Sequence, residues 1–207
     1  MRRLCAVLGV ILLAGTAVGA EEGFEPLFDG NTFDGWEGNL EWFRIEQRAI
    51  VAGSLKRPIP NNEFLASERE FDDFELRLDF KLLGEGANAG VQIRSQRVPD
   101  SHEMIGYQAD LGERWWGCLY DESRRKRVIA GPPEAEREKP IRRNDWNEYR
   151  IRCEGPRVQL WINGVQTVDF LEPDDNIPRT GLIGLQIHSG PPCEAWYRNL
   201  RIKKLPR

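Results

Sequence analysis

The chain has 207 residues, with 29 lysines and arginines against 33 aspartates and glutamates, for a formal charge of −4. A mildly acidic chain is a poor partner for nucleic acid or anionic lipid, whose binding rests on many cationic contacts. No CxxC pair or His/Cys ligand spacing occurs, which argues against structural zinc.

Residues 1–20 read as an address. Arg2 and Arg3 precede an apolar run over 4–18, and Val18-Gly19-Ala20 supplies small residues before Glu21-Glu22. This is the pattern of a Sec signal peptide cleaved after Ala20, and it predicts a periplasmic or secreted protein. A membrane anchor needs about 20 apolar residues and different flanks. No membrane association is therefore expected after cleavage. Residues 21–207 carry a charge near −6 and suit one domain with a sizeable core. Cys118, Cys153 and Cys193 remain, which permits one disulfide in an oxidising compartment with its pairing open.

Along the chain, Asp29-Gly30 and Asp34-Gly35 are turn signals. They offer oxygen ligands for a structural calcium ion, although two turns do not make a cage. No other cofactor or metal site is indicated. Residues 74–82 alternate five apolar with four charged side chains, the pattern of a strand buried on one face. Val91-Gln92-Ile93-Arg94 and Tyr107-Gln108-Ala109-Asp110 alternate in the same way. Their outward residues are flat hydrogen-bonding groups instead of the usual Lys, Glu and Thr. Trp115 to Glu122 is aromatic-rich, with Trp116 and Tyr120 as candidate platforms for a sugar ring and at least one tryptophan expected in the core. Arg124-Arg125-Lys126-Arg127 is a basic loop, and Asp121, Glu122 and Arg125 are candidates for the rim of a groove. Residues 134–139 are charged and bracketed by prolines, so a loop is expected. Runs at 149–153 and 158–163 pair around Gly155-Pro156. Asn163-Gly164 is a hairpin turn joining 158–162 to 166–170. Leu185-Gln186-Ile187-His188 alternates again, and 195–204 closes the chain with another extended run. About a dozen short strands without a convincing helix predict an all-β sandwich.

Several segments resemble, in order, the 3-keto-disaccharide hydrolase domain family. They are Phe24-Glu25-Pro26-Leu27-Phe28-Asp29-Gly30 with Phe33-Asp34-Gly35-Trp36, Asp73-Phe74-Glu75-Leu76, and Asn88-Ala89-Gly90-Val91-Gln92-Ile93-Arg94. Asp145-Trp146-Asn147-Glu148-Tyr149, Trp161-Ile162-Asn163-Gly164, Gly184-Leu185-Gln186-Ile187-His188 and Tyr197-Arg198-Asn199-Leu200-Arg201-Ile202 follow. The resemblance implies a concanavalin A-like jelly roll of two antiparallel sheets with a ligand groove on the concave one. Ala89 stands where the family usually has Ser. The carboxylate expected after the arginine has two counterparts, Glu103 and Asp110.

The resemblance further implies cleavage of a sugar oxidised at C3, either a 3-keto-disaccharide or a 3-keto-glucoside. The ketone acidifies the C2 proton and places the glycosidic oxygen β to the carbonyl, so elimination becomes feasible, with water adding later. Such chemistry needs a base at C2, a partner for the enolate oxygen and an acid for the leaving oxygen. An ordinary glycosidase needs two carboxyls at a set separation, and no ExDxxE pattern is present. His188 is one of two histidines, the residue type whose ordinary range suits proton transfer near neutrality. Arg94 has the fixed fork that binds an enolate or hydroxyl pair, with an ion pair to Asp110 or Glu103 as its bland alternative. Asp110 and Glu103 are the candidate acids or bases. Gln92, Gln108, Gln186 and Asn88 are candidates for orienting hydroxyls, although glutamines can also satisfy one another. The same fold also serves non-catalytic carbohydrate-binding modules, which is the rival reading.

Overall fold

A computed structural model describes residues 22–206, so the signal-peptide expectation lies outside the described residues. The period-two runs become strands, fifteen in number, labelled in chain order. One sheet runs Val165–Leu171 (β13), Arg157–Ile162 (β12), Asn147–Glu154 (β11), Phe74–Leu83 (β6), Cys193–Lys204 (β15), Ala49–Ser54 (β4) and Phe43–Glu46 (β3), with Glu25–Pro26 (β1) added on β15. The second runs Val128–Ala130 (β10), Leu119–Glu122 (β9), Met104–Gly112 (β8), Asn88–Arg97 (β7), Leu182–Ile187 (β14), Glu63–Ser67 (β5) and Trp36–Glu37 (β2). All neighbouring strands are antiparallel. Among the described residues the only helical turn is a 3₁₀ piece at Glu134–Glu136, inside the segment expected to be a loop.

The two sheets face each other through their apolar halves. Phe74, Leu76, Leu78 and Phe80 of β6 are fully buried against Val91 and Ile93 of β7 and Leu185 and Ile187 of β14, all in one cluster. Each such side chain contributes roughly 1.5–3 kcal/mol through burial. Two tyrosines from the first sheet cross the core and bond the backbone of the second. Tyr197 Oη donates to the Gln186 carbonyl at 2.7 Å, and Tyr149 Oη lies 3.5 Å from the Asp110 carbonyl. Burial raises the pKa of both hydroxyls, so they stay donors. The strands that carry the polar residues are thus pinned from beneath. Asn163-Gly164 forms the expected β12–β13 turn, both residues with positive φ. Cys118, Cys153 and Cys193 are free and buried, so the disulfide that the sequence permits is not formed among them.

One departure from flat pairing shapes the outer face of the second sheet. The β7–β8 register shifts between Ile93 and Gln96, where Arg94 has φ of 49° and the facing Gly106 has φ of 147°. A Cβ on Gly106 would lie 2.3 Å from Ser95 Oγ, so only glycine fits this bend. Beyond it the hairpin tip folds over β14. Met104 packs with Phe64, Ala66 and Leu182, and Arg97 donates to the Phe64 carbonyl at 2.9 Å and to Glu37 at 2.6 Å. Strand β14 separates β7 from β5 and β2, so these contacts require the tip to cross the sheet face. It becomes a wall.

Candidate functional site

The second sheet's outer face also carries a depression of about 140 Å³, lined by Asn88, Gln108, Asp110, Trp115, Tyr120, Glu122 and His188. Register explains the convergence. Gly90 pairs with Asp110, Gln92 with Gln108, Gln108 with Tyr120, and Gln186 with Gly90, so these side chains share the outer face. His188 joins them because its N–H donates to the Asn88 carbonyl at 3.0 Å, just past the end of β14. Gly90 is the floor. A Cβ there would fall 2.6 Å from Gln108 Cδ, so its absence lets Gln108 lie flat across β7.

His188 Nδ1 is 2.7 Å from the Ser189 carbonyl oxygen. A carbonyl only accepts, so Nδ1 carries the hydrogen and the neutral ring keeps a lone pair on Nε2. Asp110 is 4% exposed. Burial first, and the Glu122 charge second, hold its carboxyl well above the usual aspartate range, against the opposing pull of the Gln108 amide and Arg137. Burial also raises Glu122, with Glu103 adding to it, while His188, the Ser123 N–H and Gln186 oppose. Glu103 Oε2 and Gln186 Oε1 are buried acceptors without a donor in the protein. Both side chains act on Glu122, Glu103 through its charge and Gln186 through its amide N–H. Tyr120 stays a phenol, raised by burial and then by Glu122, Asp110 and Asp121.

The expected residues are only partly brought together. His188, Asp110, Gln108, Tyr120 and Asn88 line the depression. Glu103 stands on the folded hairpin, accepting from Asn62 Nδ2 at 3.3 Å. Gln186 donates toward Glu122 at 3.5 Å, while Gln92 lies fully buried beneath Gln108. Arg94 is elsewhere. Its guanidinium bonds the Asp72 carbonyl at 2.6 Å, the Gly155 carbonyl at 2.7 Å and Asp73 Oδ1 at 2.6 Å, because the bulge turns its side chain off the outer face. Its acid partner is therefore neither Asp110 nor Glu103. Trp116 is buried and stacked on Phe80, whereas Trp115, edge-on to Tyr120, faces the depression. Of the proposed rim, only Glu122 belongs. Asp121 is fully buried beneath Arg124 and Arg125, and Arg125 also holds Glu172. Glu122 follows Tyr120 by two positions on one strand, and that phase was the available signal. At the calcium candidate, Asp29 accepts from the Asn31 and Thr32 N–H groups and Arg48 bonds its carbonyl, so protein donors occupy these oxygens. Among the described residues, no three His, Cys, Asp or Glu side chains converge on a metal position.

The fold is shared with solved proteins of low identity. A candidate glycosyl hydrolase of Parabacteroides distasonis aligns with TM-score 0.68 at 18% identity, over 89% of this chain and 95% of that one. The carbohydrate-binding module CBM66 of Bacillus subtilis gives 0.62 at 17%, over 82% and 96%. The β-glucanase of Bacillus licheniformis gives 0.57 at 10%, over 88% and 97%. No curated protein matches the sequence. A two-sheet jelly roll is the fold that this chain shares with these solved glycosyl hydrolase-like and carbohydrate-binding sandwiches. Within it, the chain belongs to the family of the 3-keto-alpha-glucoside-1,2-lyase-like domain, whose model matches residues 23–203. Among the described residues no helix is long and apolar enough to cross a membrane.

Proposed function

We propose that the chain is an exported enzyme that cleaves 3-keto-glycosides or 3-keto-disaccharides by elimination followed by hydration. One observation carries this reading: a histidine with Nδ1 tied to a carbonyl shares a depression with two carboxyls whose pKa burial raises. His188 Nε2 takes the proton from C2, which the neighbouring ketone has acidified. The C2–H electrons form the enolate, then collapse to a C1=C2 double bond as the C1–O bond breaks. The Asp110 proton passes to the departing oxygen. Tyr120 is a neutral donor for the enolate oxygen, and Glu122, whose pKa burial raises, is a second donor when it carries its proton. Trp115 supplies the ring face against the sugar. Water then adds at C1 and restores the 3-keto sugar. No metal or cofactor is assigned a step, and residues 1–20 act as the export signal.

The test is turnover of 3-keto-trehalose and a 3-keto-glucoside beside their unoxidised parents, with deuterium at C2. Cleavage of the keto sugars alone, with loss of the C2 label, is expected. Cleavage with full retention of the label would refute the elimination. Binding without cleavage across the panel would make the protein a carbohydrate-recognition domain. For export, the secreted or periplasmic protein should begin at Glu21.

A further inference from the structure

Beneath the depression a line of side chains is hydrogen-bonded in one direction. Ser95 Oγ donates to Gln92 Oε1 at 2.6 Å, Gln92 Nε2 to Gln108 Oε1 at 2.9 Å, and Gln108 Nε2 to Asp110 Oδ1 at 2.7 Å. All four are buried, and Gln92 and Ser95 do not line the depression. We propose that Ser95 and Gln92 are positioning residues that fix the Gln108 amide, so that Asp110 holds its proton on Oδ2, facing the substrate. The inference rests on the acid role given to Asp110 above.

The logic follows from donor and acceptor counts. An amide has one end that only donates and one that only accepts. Gln108 is fixed with its NH₂ toward Asp110 when its carbonyl has a donor elsewhere, and Gln92 Nε2 is that donor. Gln92 can turn its NH₂ that way only if its own carbonyl is satisfied, which Ser95 does. With Oδ1 already accepting, a proton on Asp110 sits on Oδ2. If the line ran in reverse, the Gln108 carbonyl would face Asp110 and take its proton as a hydrogen bond, withdrawing it from the substrate. The other charged or titratable groups around Asp110 are His188 across the depression, Glu122 and Tyr120 on β9, Cys118 just before it, Arg137 from the loop above, and Tyr149 from β11 below. None of them bonds the Gln108 amide.

Gln92→Glu is the reversing substitution. The introduced carboxylate, when ionised, accepts from both sides, draws the Gln108 NH₂ toward itself and turns the Gln108 carbonyl onto Asp110. Gln92→Met removes the bond but leaves Gln108 free to keep its bond to Asp110. The readout is the ¹³C shift of the Asp110 carboxyl across pH, assigned with Asp110→Asn, in the full mature chain without substrate. It therefore does not depend on the enzyme assay. Losing a donor and gaining an acceptor is expected to raise the Asp110 titration by at least about one pH unit in Gln92→Glu and by much less in Gln92→Met. Ser95→Ala, which frees the Gln92 amide to reverse, should move it the same way by a smaller amount, and this keeps the test open if Gln92→Glu does not fold. In active protein, kcat falls and its Asp110-controlled limb moves to higher pH while KM holds. An unchanged Asp110 titration in Gln92→Glu and Ser95→Ala, or equal shifts in Gln92→Glu and Gln92→Met, would overturn the relay. Displaced titrations in a protein inactive on every keto sugar would uphold the relay and remove the reaction.

Discussion

Replacing Arg94 with alanine should unfold this protein more readily and leave its site intact. The guanidinium, 4% exposed at its side chain, bonds two backbone carbonyls and one carboxylate, and so ties the β7 bulge of one sheet to the start of β6 and the β11–β12 turn of the other. Each bond from a charged donor is worth about 1.5–3 kcal/mol net, but three on one group do not add. Removing one partner of a buried ion pair usually costs about 3–5 kcal/mol. The low end applies here, because Asp73 is partly exposed and keeps the Gly155 N–H at 2.9 Å. A loss near 3 kcal/mol lowers the urea midpoint by about 1 M or slightly more for a domain of this size. Equilibrium urea unfolding by tryptophan fluorescence measures that shift, and kcat/KM on the keto sugars at low temperature measures the site. A midpoint equal to wild type together with a tenfold loss of kcat would refute the structural assignment and return Arg94 to the reaction.

His188→Ala should lower kcat at least about tenfold with an unchanged melting temperature, the low end for losing a general base; wild-type turnover would remove His188 from proton transfer. Asp110→Asn should abolish turnover yet stabilise the fold at pH 8. Because the folded Asp110 pKa lies above the ordinary 3.8, its stabilising contribution is complete below 3.8 and is lost as pH rises through the raised value. The gain from asparagine should therefore vanish near pH 4, and a gain of equal size at both pH values would contradict the assignment. Trp115→Ala should raise KM while sparing stability, whereas Trp116→Ala, which empties a buried stack on Phe80, should cost about 3–5 kcal/mol and be read in the same urea titration.

Much of the sheet pattern was legible because alternation is a local property of sequence. Phe74 to Leu83, Val91-Gln92-Ile93 and Leu185-Gln186-Ile187 state their two faces outright, and Gln108 and Asp110 declare a polar outer face that one sheet indeed carries. Period two fails at a bulge. The shift between Ile93 and Gln96 cancels the phase that placed Arg94 beside Gln92, and nothing in the local residues announces it except Gly106, whose partner strand must be known first. Trp115 and Trp116 are adjacent, and sequence offered Trp116 as the ring platform while expecting at least one of the pair in the core; the structure buries Trp116 and turns Trp115 to the depression. Glu122 was visible as a rim candidate through its phase with Tyr120, but it stood beside Asp121 and Arg125 as equals, since phase selects Glu122 only once Tyr120 is known to face the depression. The cysteines were equally undetermined, because distance in the fold sets their pairing and spacing in the chain does not.

The hairpin folded across the second sheet separates two kinds of change during divergence. Its tip, residues 98–102, lines a separate cleft with Glu37, Asn39 and Glu63, and none of its residues lines the depression that holds His188, Asp110 and Glu122. Insertions or deletions at the tip would reshape that second cleft and leave the lining of the depression unchanged. One short connection is thus free to vary in length while the polar face beside it stays constant.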